Sequence, residues 1–221
     1  MSFNIEVQGG STVLLPTAGK YCDRDIVVAA TGGSNDLWFP LIERSIEYIN
    51  NESIVTLGTY AFAGCEKLTE VSLPNCETIA RYIFLSATSL VSVNLPKVTE
   101  ATGNMFQFCS SLKNINIPKV TELTSNSIRD CAALEKIDLP KVTKIFAQAF
   151  LNCGKLSAVI LRSPSAVSLS DINAFNGTPI ASGTGYIYVP AALIDSHYRT
   201  ATNWTTFQFR AIEDYPGICG G

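Results

Sequence analysis

A 22-residue repeat constrains the fold of this chain more than any other feature of its sequence. Leu-Pro or Ile-Pro pairs recur at this spacing, at Leu73-Pro74, Leu95-Pro96, Ile117-Pro118 and Leu139-Pro140. Apolar residues recur with them, in the series Leu68, Leu90, Leu112, Leu134, Leu156; Val71, Val93, Ile115, Ile137, Val159; Phe62, Phe84, Phe106, Ile128, Phe150; and Leu57, Ile79, Ala101, Leu123, Ile145. Five units without insertion or deletion span residues 54–163. A period of this length is the signature of a solenoid.

Each unit contains the pieces of one solenoid turn. The segment Leu-x-x-Val-x-Leu-Pro alternates apolar and polar residues at its end, which predicts a short strand. Proline then ends the strand, because it has no N–H to donate to a ladder. A second extended piece and a compact segment such as 149–153 follow, and the compact segment is long enough for about one helical or 3₁₀ turn. A single unit cannot bury its apolar side chains, so the units must stack in parallel around one continuous core.

The repeat resembles a known family. Its pattern Ala-Phe-x-x-Cys-x-x-Leu-x-x-Val-x-Leu-Pro-x-Val-Thr-x-Ile is similar to the BspA-like leucine-rich repeat of bacterial surface proteins. Two units depart from it, with Ala87 in place of the cysteine and Ile128 in place of the phenylalanine. The resemblance implies an α/β-type, right-handed leucine-rich-repeat solenoid, rich in strands with short helical turns, that has five regular repeats plus caps.

Caps are expected at both ends of the repeats, because a solenoid exposes apolar surface there. Residues 34–53 are predicted to form the first cap, since Ile42, Ile46 and Ile49 have the spacing of an amphipathic helix. Residues 1–33 are predicted to form a small β segment and linker, with strand-like runs at 12–15 and 25–30.

Residues 164–221 are expected to form an irregular last repeat and the second cap. This part is predicted to contain a strand at 186–190, a helix at 191–200 and an aromatic run at 204–209 that closes the core. It also resembles the C-terminal caps of BspA-like repeat proteins.

Composition excludes several classes of protein. Hydrophobic residues make up 47% of the 221 residues, which argues against disorder. The formal net charge is −3, with 16 basic and 19 acidic residues, so no nucleic-acid partner is expected. No apolar run approaches the roughly 18 residues of a membrane span, so membrane insertion is not expected. The sequence as given shows no signal peptide, because its first basic side chain is Lys20 and it lacks an apolar h-region.

The sequence offers no constellation for catalysis, metal binding or a cofactor. The seven cysteines include no C-x-x-C pair. Four of them, Cys65, Cys109, Cys131 and Cys153, are predicted to stack in a row. Disulfides are conceivable at that spacing, but inert buried thiols are favoured because Ala87 fills the same position. The single histidine, His197, is interpreted as a cap residue, since its neighbours Asp195 and Ser196 point in other directions on a helix. An enzyme is therefore not expected.

The outward residues of the strands are the candidate partner-binding surface, which we call the strand face. One row reads Glu70, Ser92, Asn114, Lys136, Ala158, and the other reads Ser72, Asn94, Asn116, Asp138, Ile160. Their amide and hydroxyl groups suit a peptide or a sugar, although a merely solvated face explains them equally well, because Trp, Tyr and Arg are missing from the rows. A second candidate is a basic ladder of Lys97, Lys119 and Lys141, which Glu100 and Glu122 are expected to neutralise in part.

Two functions are compatible with these features. The resemblance implies a protein-interaction or adhesion module, at the cell surface or outside the cell, whose protein or glycan ligand is unknown. The alternative is a structural component of a phage or prophage tail particle, because residues 19–28 resemble short segments of phage tail and appendage proteins. The alternative predicts a virion-associated homo-oligomer that assembles through residues 1–33.

Overall fold

The computed structural model describes residues 3–7, 11–15, 47–50, 52 and 54–220. The repeats stack as parallel turns, and each turn contributes one strand to a front row and one to a back row. A single apolar core runs between the rows from Ile49 to Phe207. The α/β-type solenoid, rich in strands with little helix, is therefore confirmed.

The front row carries the strand face and continues beyond the five predicted units. Its strands are β3 (Tyr48–Asn50), β5 (Glu70–Ser72), β7 (Ser92–Asn94), β9 (Asn114–Asn116), β11 (Lys136–Leu139), β13 (Ala158–Leu161), β15 (Tyr186–Val189) and β16 (Phe209–Ala211). They pair in parallel as two four-stranded sheets, β3-β5-β7-β9 and β11-β13-β15-β16. Glu70 lies beside Ser92 and Ser92 beside Asn114, so residues 22 apart are neighbours.

The back row is built from two-residue strands. They are β4 (Thr56–Leu57), β6 (Thr78–Ile79), β8 (Glu100–Ala101), β10 (Glu122–Leu123), β12 (Lys144–Ile145) and β14 (Ser168–Leu169). The second residue of each strand is buried, and the first is exposed in all but β12, where Lys144 is half-buried. This alternation is the one expected of a strand with one face on the core.

Between the rows, the compact segments form single turns whose N–H groups donate to the carbonyl three residues earlier, as from Ala63 to Tyr60, and the last of them is a 3₁₀ helix at Ile172–Phe175. In these segments Phe62 N–H donates to the Ile83 carbonyl at 2.8 Å, and Phe84 N–H donates to the Met105 carbonyl at 3.0 Å. This register stacks like side chains on each other. The Phe62 and Phe84 rings lie 5.7 Å apart and the Phe84 and Phe106 rings 5.5 Å apart, each pair nearly parallel.

The turn segments require left-handed backbone at two positions of every unit. The first set is Tyr60, Tyr82, Asn104, Asn126 and Gln148, and the second is Gly64, Ser86, Phe108, Asp130 and Asn152, all with φ between 58° and 71°. Only one of the ten is glycine, although a left-handed conformation costs other residues about 1–2 kcal/mol, and least for Asn and Asp. The repeat therefore imposes this backbone conformation on residues that do not favour it.

The repeated cysteines line the core as thiols. Cys65, Cys109, Cys131 and Cys153 are all buried. The Cys109 thiol donates a hydrogen bond to the Phe84 carbonyl at 3.0 Å, and the Cys131 and Cys153 thiols make the equivalent bond one unit further along each time. Burial raises the pKa of Cys109 and of Cys131 well above the ordinary thiol value, and that of Cys76 to about 11. The prediction of buried thiols instead of disulfides is therefore confirmed for the described cysteines, and their inertness stays a prediction.

The C-terminal cap makes hydrogen bonds to the backbone of residues 167–169, which include β14, the last strand of the back row. The Val167 N–H donates to the Tyr198 hydroxyl at 3.0 Å, and Trp204 Nε1 donates to the Val167 carbonyl at 2.7 Å. Asn203 Nδ2 donates to the Leu169 carbonyl at 2.8 Å. Both aromatic rings are buried, as the predicted closure of the core by this region requires.

Two details of the caps differ from the sequence prediction. Ile49, assigned to an amphipathic helical cap, lies in strand β3 in register with Val71, because the 22-residue stacking outweighs its helical spacing. The helix predicted over 191–200 is shorter: an α-helical turn at Ala191–Leu193 continues as a π-helical turn at Ile194–Tyr198, which aims Tyr198 into the core.

The first residues form a separate antiparallel pair. Strands β1 (Phe3–Val7) and β2 (Ser11–Leu15) pair with each other, and β2 includes the predicted run at 12–15. The predicted run at 25–30 and the spacing partners Ile42 and Ile46 lie outside the described residues.

Replacing Gln148 with glycine is expected to stabilise the protein. Its φ is 60° and its polar side chain is exposed, so glycine removes left-handed strain without removing buried apolar surface. We expect the free energy of unfolding to rise by about 0.5–1 kcal/mol in Gln148→Gly. Urea denaturation measures it, with Gln107→Gly as the control, since Gln107 has no positive φ and glycine there should destabilise. Equal destabilisation by both changes would contradict the strain assigned to Gln148.

The buried thiols predict a loss of stability in alkaline solution. Burial raises the pKa of these thiols in the folded state, so thiols of the unfolded chain ionise first as the pH rises. The contribution of the thiols to the free energy of unfolding is therefore intact below the unfolded pKa of about 8.5 and is lost progressively above it. Between about pH 7 and about pH 10, removing one such thiol in Cys109→Ala should lessen this loss by about 2 kcal/mol. Denaturation at both pH values in variant and wild type measures the difference, and equal losses would contradict the account.

Candidate functional site: the strand face

The structure places the predicted strand-face residues on one continuous surface and divides that surface into two parts. At the end near β3, the outward side chains are polar, with Glu70, Asn114 and Asn116 exposed and Ser72, Ser92 and Asn94 half-buried. At the other end, from Ala158 onwards, they are apolar or aromatic and largely covered. One part of the strand face is therefore an exposed polar surface, and the other is a covered apolar surface.

The polar part contains an ordered ladder of side chains. Asn94 Nδ2 donates to Ser72 Oγ at 3.1 Å, and Asn116 Nδ2 donates to Asn94 Oδ1 at 2.7 Å. In both bonds the amide Nδ2 donates to the residue on the preceding strand, so the donors all point towards the β5 end of the solenoid. The amide oxygen of Asn116 lies at the end of the ladder, on an exposed residue. The face therefore presents amide groups whose orientations are fixed before any ligand arrives.

Lys136 and Asp138, both predicted as partner-binding residues, already have partners within the chain. Lys136 Nζ donates to the Ile218 carbonyl at 3.0 Å. Asp138 forms a bidentate salt bridge with Arg162. Arg162 Nε donates to Asp138 Oδ1 at 3.0 Å, and Arg162 Nη2 donates to Asp138 Oδ2 at 2.8 Å. Asp138 raises the pKa of Arg162 through these bonds. These two residues attach a segment of the chain to the face instead of standing open.

That segment, residues 212–220, is named here the covering segment. It consists of two short helical turns, Ile212–Asp214 and Pro216–Cys219. It lies over the apolar end of the strand face, where it buries Ala158, Ile160 and Tyr188. Two of its carbonyl groups accept hydrogen bonds from the face, that of Ile218 from Lys136 and that of Cys219 from Arg162.

The strand face also contains aromatic and arginine residues that sequence reasoning missed. Tyr186 pairs with Ala158 and Tyr188 with Ile160, and Arg210 continues the second row beside Tyr188. The guanidinium of Arg210 lies 3.4 Å from the centre of the Tyr186 ring and 4.7 Å from that of Tyr215. The spacing from Ala158 to Tyr186 is 28 residues instead of 22, so the period did not reveal it. The strand predicted at 186–190, with tyrosine at the alternate positions 186 and 188, was the available signal.

The side chains of the basic ladder differ in exposure. Lys97 Nζ donates to Asn75 Oδ1 at 2.9 Å, while Lys119 and Lys141 are exposed. No direct ion pair joins any of the three to Glu100 or Glu122 in the described part of the chain, and the expected partial neutralisation stays a prediction. The glutamates are the outward residues of back strands β8 and β10, whereas the lysines belong to the turns that precede those strands.

His197 does not form a catalytic relay with its neighbours. Its Nδ1 lies 3.3 Å from Ser196 Oγ, but Asp195 pairs with Arg199.

A shallow depression near Gly177, Thr178 and Pro179 carries no titratable side chain. Within residues 47–50, 52 and 54–220, no cluster of His, Cys, Asp and Glu has the arrangement of a metal site. No helix of the described residues has the length and apolar character that crossing a bilayer requires.

Comparison with solved structures returns leucine-rich-repeat proteins. A leucine-rich repeat protein from Bacteroides ovatus aligns with a TM-score of 0.58 at 23% identity, over 76% of this chain and 42% of that protein. This chain thus spans less than half the length of that protein. A leucine-rich cell surface protein from Faecalibacterium prausnitzii aligns with a TM-score of 0.41 at 15% identity, over 86% of this chain and 70% of that one. No curated protein matches the chain significantly.

Comparison with family models agrees with the repeat register. The model of the BspA type leucine rich repeat region matches residues 43–157 and 104–184, in six copies. These ranges together cover more than half of the chain and contain the front strands from β3 to β13. The chain belongs to the BspA-type leucine-rich-repeat family.

Proposed function

We propose that the chain is a non-enzymatic interaction or adhesion module that binds a protein or glycan ligand through the polar part of the strand face. The observation that carries this proposal is the ladder Ser72–Asn94–Asn116. In it the Ser72 hydroxyl orients the Asn94 amide, and the Asn94 amide orients that of Asn116. A ligand that meets fixed amides loses less conformational entropy on binding than one that must order them. The ladder is flanked by the exposed Glu70 and Asn114, which extend the polar surface across β5 and β9.

The chemistry of this surface favours a ligand rich in hydrogen-bonding groups. Amide and hydroxyl side chains can both donate and accept, so they suit the backbone of an extended peptide or the hydroxyls of a sugar. Leucine-rich-repeat solenoids are mostly binding proteins, which supports a function without catalysis, although a fold alone does not fix a function. We propose that the module acts at the bacterial cell surface, and the resemblance of its repeat to that of bacterial surface proteins supports this.

The alternative of a phage tail component depends on residues outside the described ones. The segment 19–28 that suggested it, and assembly as a homo-oligomer through residues 1–33, stay predictions. The basic ladder of Lys97, Lys119 and Lys141 is proposed as a second, weaker contact surface for an anionic part of the same ligand, since two of its three ammonium groups are exposed.

A paired set of surface variants tests the proposed face. Ligands are first sought by applying the full chain to a glycan array and to immobilised extracellular-matrix proteins. For a ligand found in this way, Glu70→Arg/Asn114→Arg should weaken binding about tenfold or more, because two long cationic side chains then stand beside the amide ladder. The dissociation constant is measured by biolayer interferometry.

The matched control places the same charges on the back row. Thr78→Arg/Glu100→Arg adds two arginines at exposed positions of β6 and β8, so the change in net charge is identical. This control should bind like the wild type. Equal weakening by both variants, or weakening by the back-row variant alone, would contradict binding at the strand face.

A further inference from the structure

The covering segment packs on the outside of the solenoid and has its own small apolar cluster. That cluster contains Ala158, Ile160, Tyr188 and Cys219 and is separate from the core between the rows. Around it pack the half-buried residues Tyr186, Ile212, Tyr215 and Ile218. Because the two clusters are distinct, the segment can leave the face without opening the core of the repeats.

The contacts that hold the segment are few and lie at the surface. Its polar contacts with the solenoid run from Lys136 and Arg162 to carbonyl groups of residues 218–220, and from the Ala191 N–H to the Glu213 carboxylate at 3.2 Å. The Arg162 and Asp138 side chains are 32% and 38% exposed, so water competes for these bonds. The two helical turns have three and four residues and cannot be stable apart from the face. Segments with few buried contacts are those that open locally while the rest of a protein stays folded.

The surface beneath the segment has the composition of a protein-binding hot spot. Tyrosine and arginine dominate binding energy at protein interfaces, and Tyr186, Tyr188 and Arg210 supply both in one place. On the described strand face, tyrosine and arginine otherwise occur only at Tyr48. The segment meets these residues with an aromatic ring, since Tyr215 lies 5.6 Å from Tyr188, edge to face. Its backbone supplies carbonyl oxygens to two cations.

We propose that the covering segment is a removable strap over a second binding site on the strand face, and that this site takes a peptide segment of a partner protein. The partner segment presents an aromatic and an aliphatic side chain to Tyr188, Ile160 and Arg210, and backbone carbonyls to Lys136 and Arg162, as the strap itself does. This inference extends the proposed function, because it adds an aromatic site to the polar part of the same face.

Labelling of Cys219 measures whether the strap opens. Cys219 belongs to the strap and is 4% exposed because its side chain packs against the face, whereas the other described cysteines lie in the solenoid core. In a full chain carrying Cys22→Ser, a thiol reagent should modify Cys219 while the thermal unfolding transition stays intact. Ile218→Ala should raise the labelling rate about fivefold, since it removes strap contacts alone. The matched control Ile172→Ala, at a 40% exposed isoleucine away from the strap, should leave the rate unchanged.

The dependence of labelling on denaturant decides the first half of the proposal. A strap that opens locally gives a Cys219 rate that scarcely responds to low urea, while the rates of the core cysteines rise steeply. If Cys219 reacts only as fast as Cys131 and with the same urea dependence, the segment is an integral part of the fold and the proposal is overturned. Neither result requires an external ligand, so this failure leaves the proposed polar binding face standing.

A peptide supplied in trans tests the second half. The probe is a fluorescent peptide of residues 211–220 with Cys219→Ser, and the receptor is the full chain with Tyr215→Ala/Ile218→Ala, which weakens the strap and leaves the site unaltered. Fluorescence anisotropy should show binding about tenfold tighter to this variant than to the wild type, in which the strap competes. A peptide carrying the same two alanines should not bind.

Two results would overturn the assignment of a peptide-binding site. Equal affinity of both peptides for the variant would show that the aromatic and aliphatic contacts do not select the segment. A wild-type dimer in light scattering that the peptide dissociates would show that a second copy of the chain occupies the site instead of a different partner. If the double variant lacks a cooperative thermal transition, Ile218→Ala alone replaces it as the receptor.

Discussion

The structure depends on one constraint, the hydrogen-bonded register that places each residue beside the residue 22 positions further along the chain. The backbone bonds from Phe62 to Ile83 and from Phe84 to Met105 set it in the turns, and the strand pairings set it in both rows. Because the register is the same throughout the regular units, each side chain there meets its own equivalent. Phenylalanine therefore stacks on phenylalanine and asparagine bonds to asparagine. The left-handed turn positions are a cost of the same register.

The register also gives the strand face its two parts. Where the outward positions are polar, neighbouring side chains bond to each other along the solenoid and form the Ser72–Asn94–Asn116 ladder. Where they become apolar at Ala158 and Ile160, the chain returns and covers them. Lys136 and Asp138 lie at the boundary and hold the covering segment in place, directly or through Arg162. One sheet thus carries a polar surface open to ligands and an aromatic surface closed by the chain itself.

The sequence was sufficient to predict the features that repeat locally. The core positions, the front strands of the regular units and the buried thiols follow from the 22-residue period and from the type of residue at each position. Ile49 was misassigned because it satisfies a helical spacing with Ile42 and Ile46 and a solenoid spacing with Val71, and only the stacked structure decides between them.

Features that depend on contacts between distant residues were not predictable. The left-handed turns were hidden because Gly64 is the single glycine among ten such positions. The Tyr186 and Arg210 end of the strand face was missed because six extra residues interrupt the period before β15. The contact from Lys136 to Ile218 spans 82 residues and has no local signal in the sequence.

Native-state hydrogen exchange, followed amide by amide in the full chain, is the most direct test of the central claim that the strand face has an open part and a part closed by a removable segment. The account predicts that amides of the front strands, such as Val93 and Ile187, exchange only through global unfolding. It predicts that the amides of Ile218, Cys219 and Gly220 exchange through a local opening with a distinctly smaller free energy. The same opening free energy for both groups would show that the covering segment and the repeats unfold as one unit, and would contradict the account.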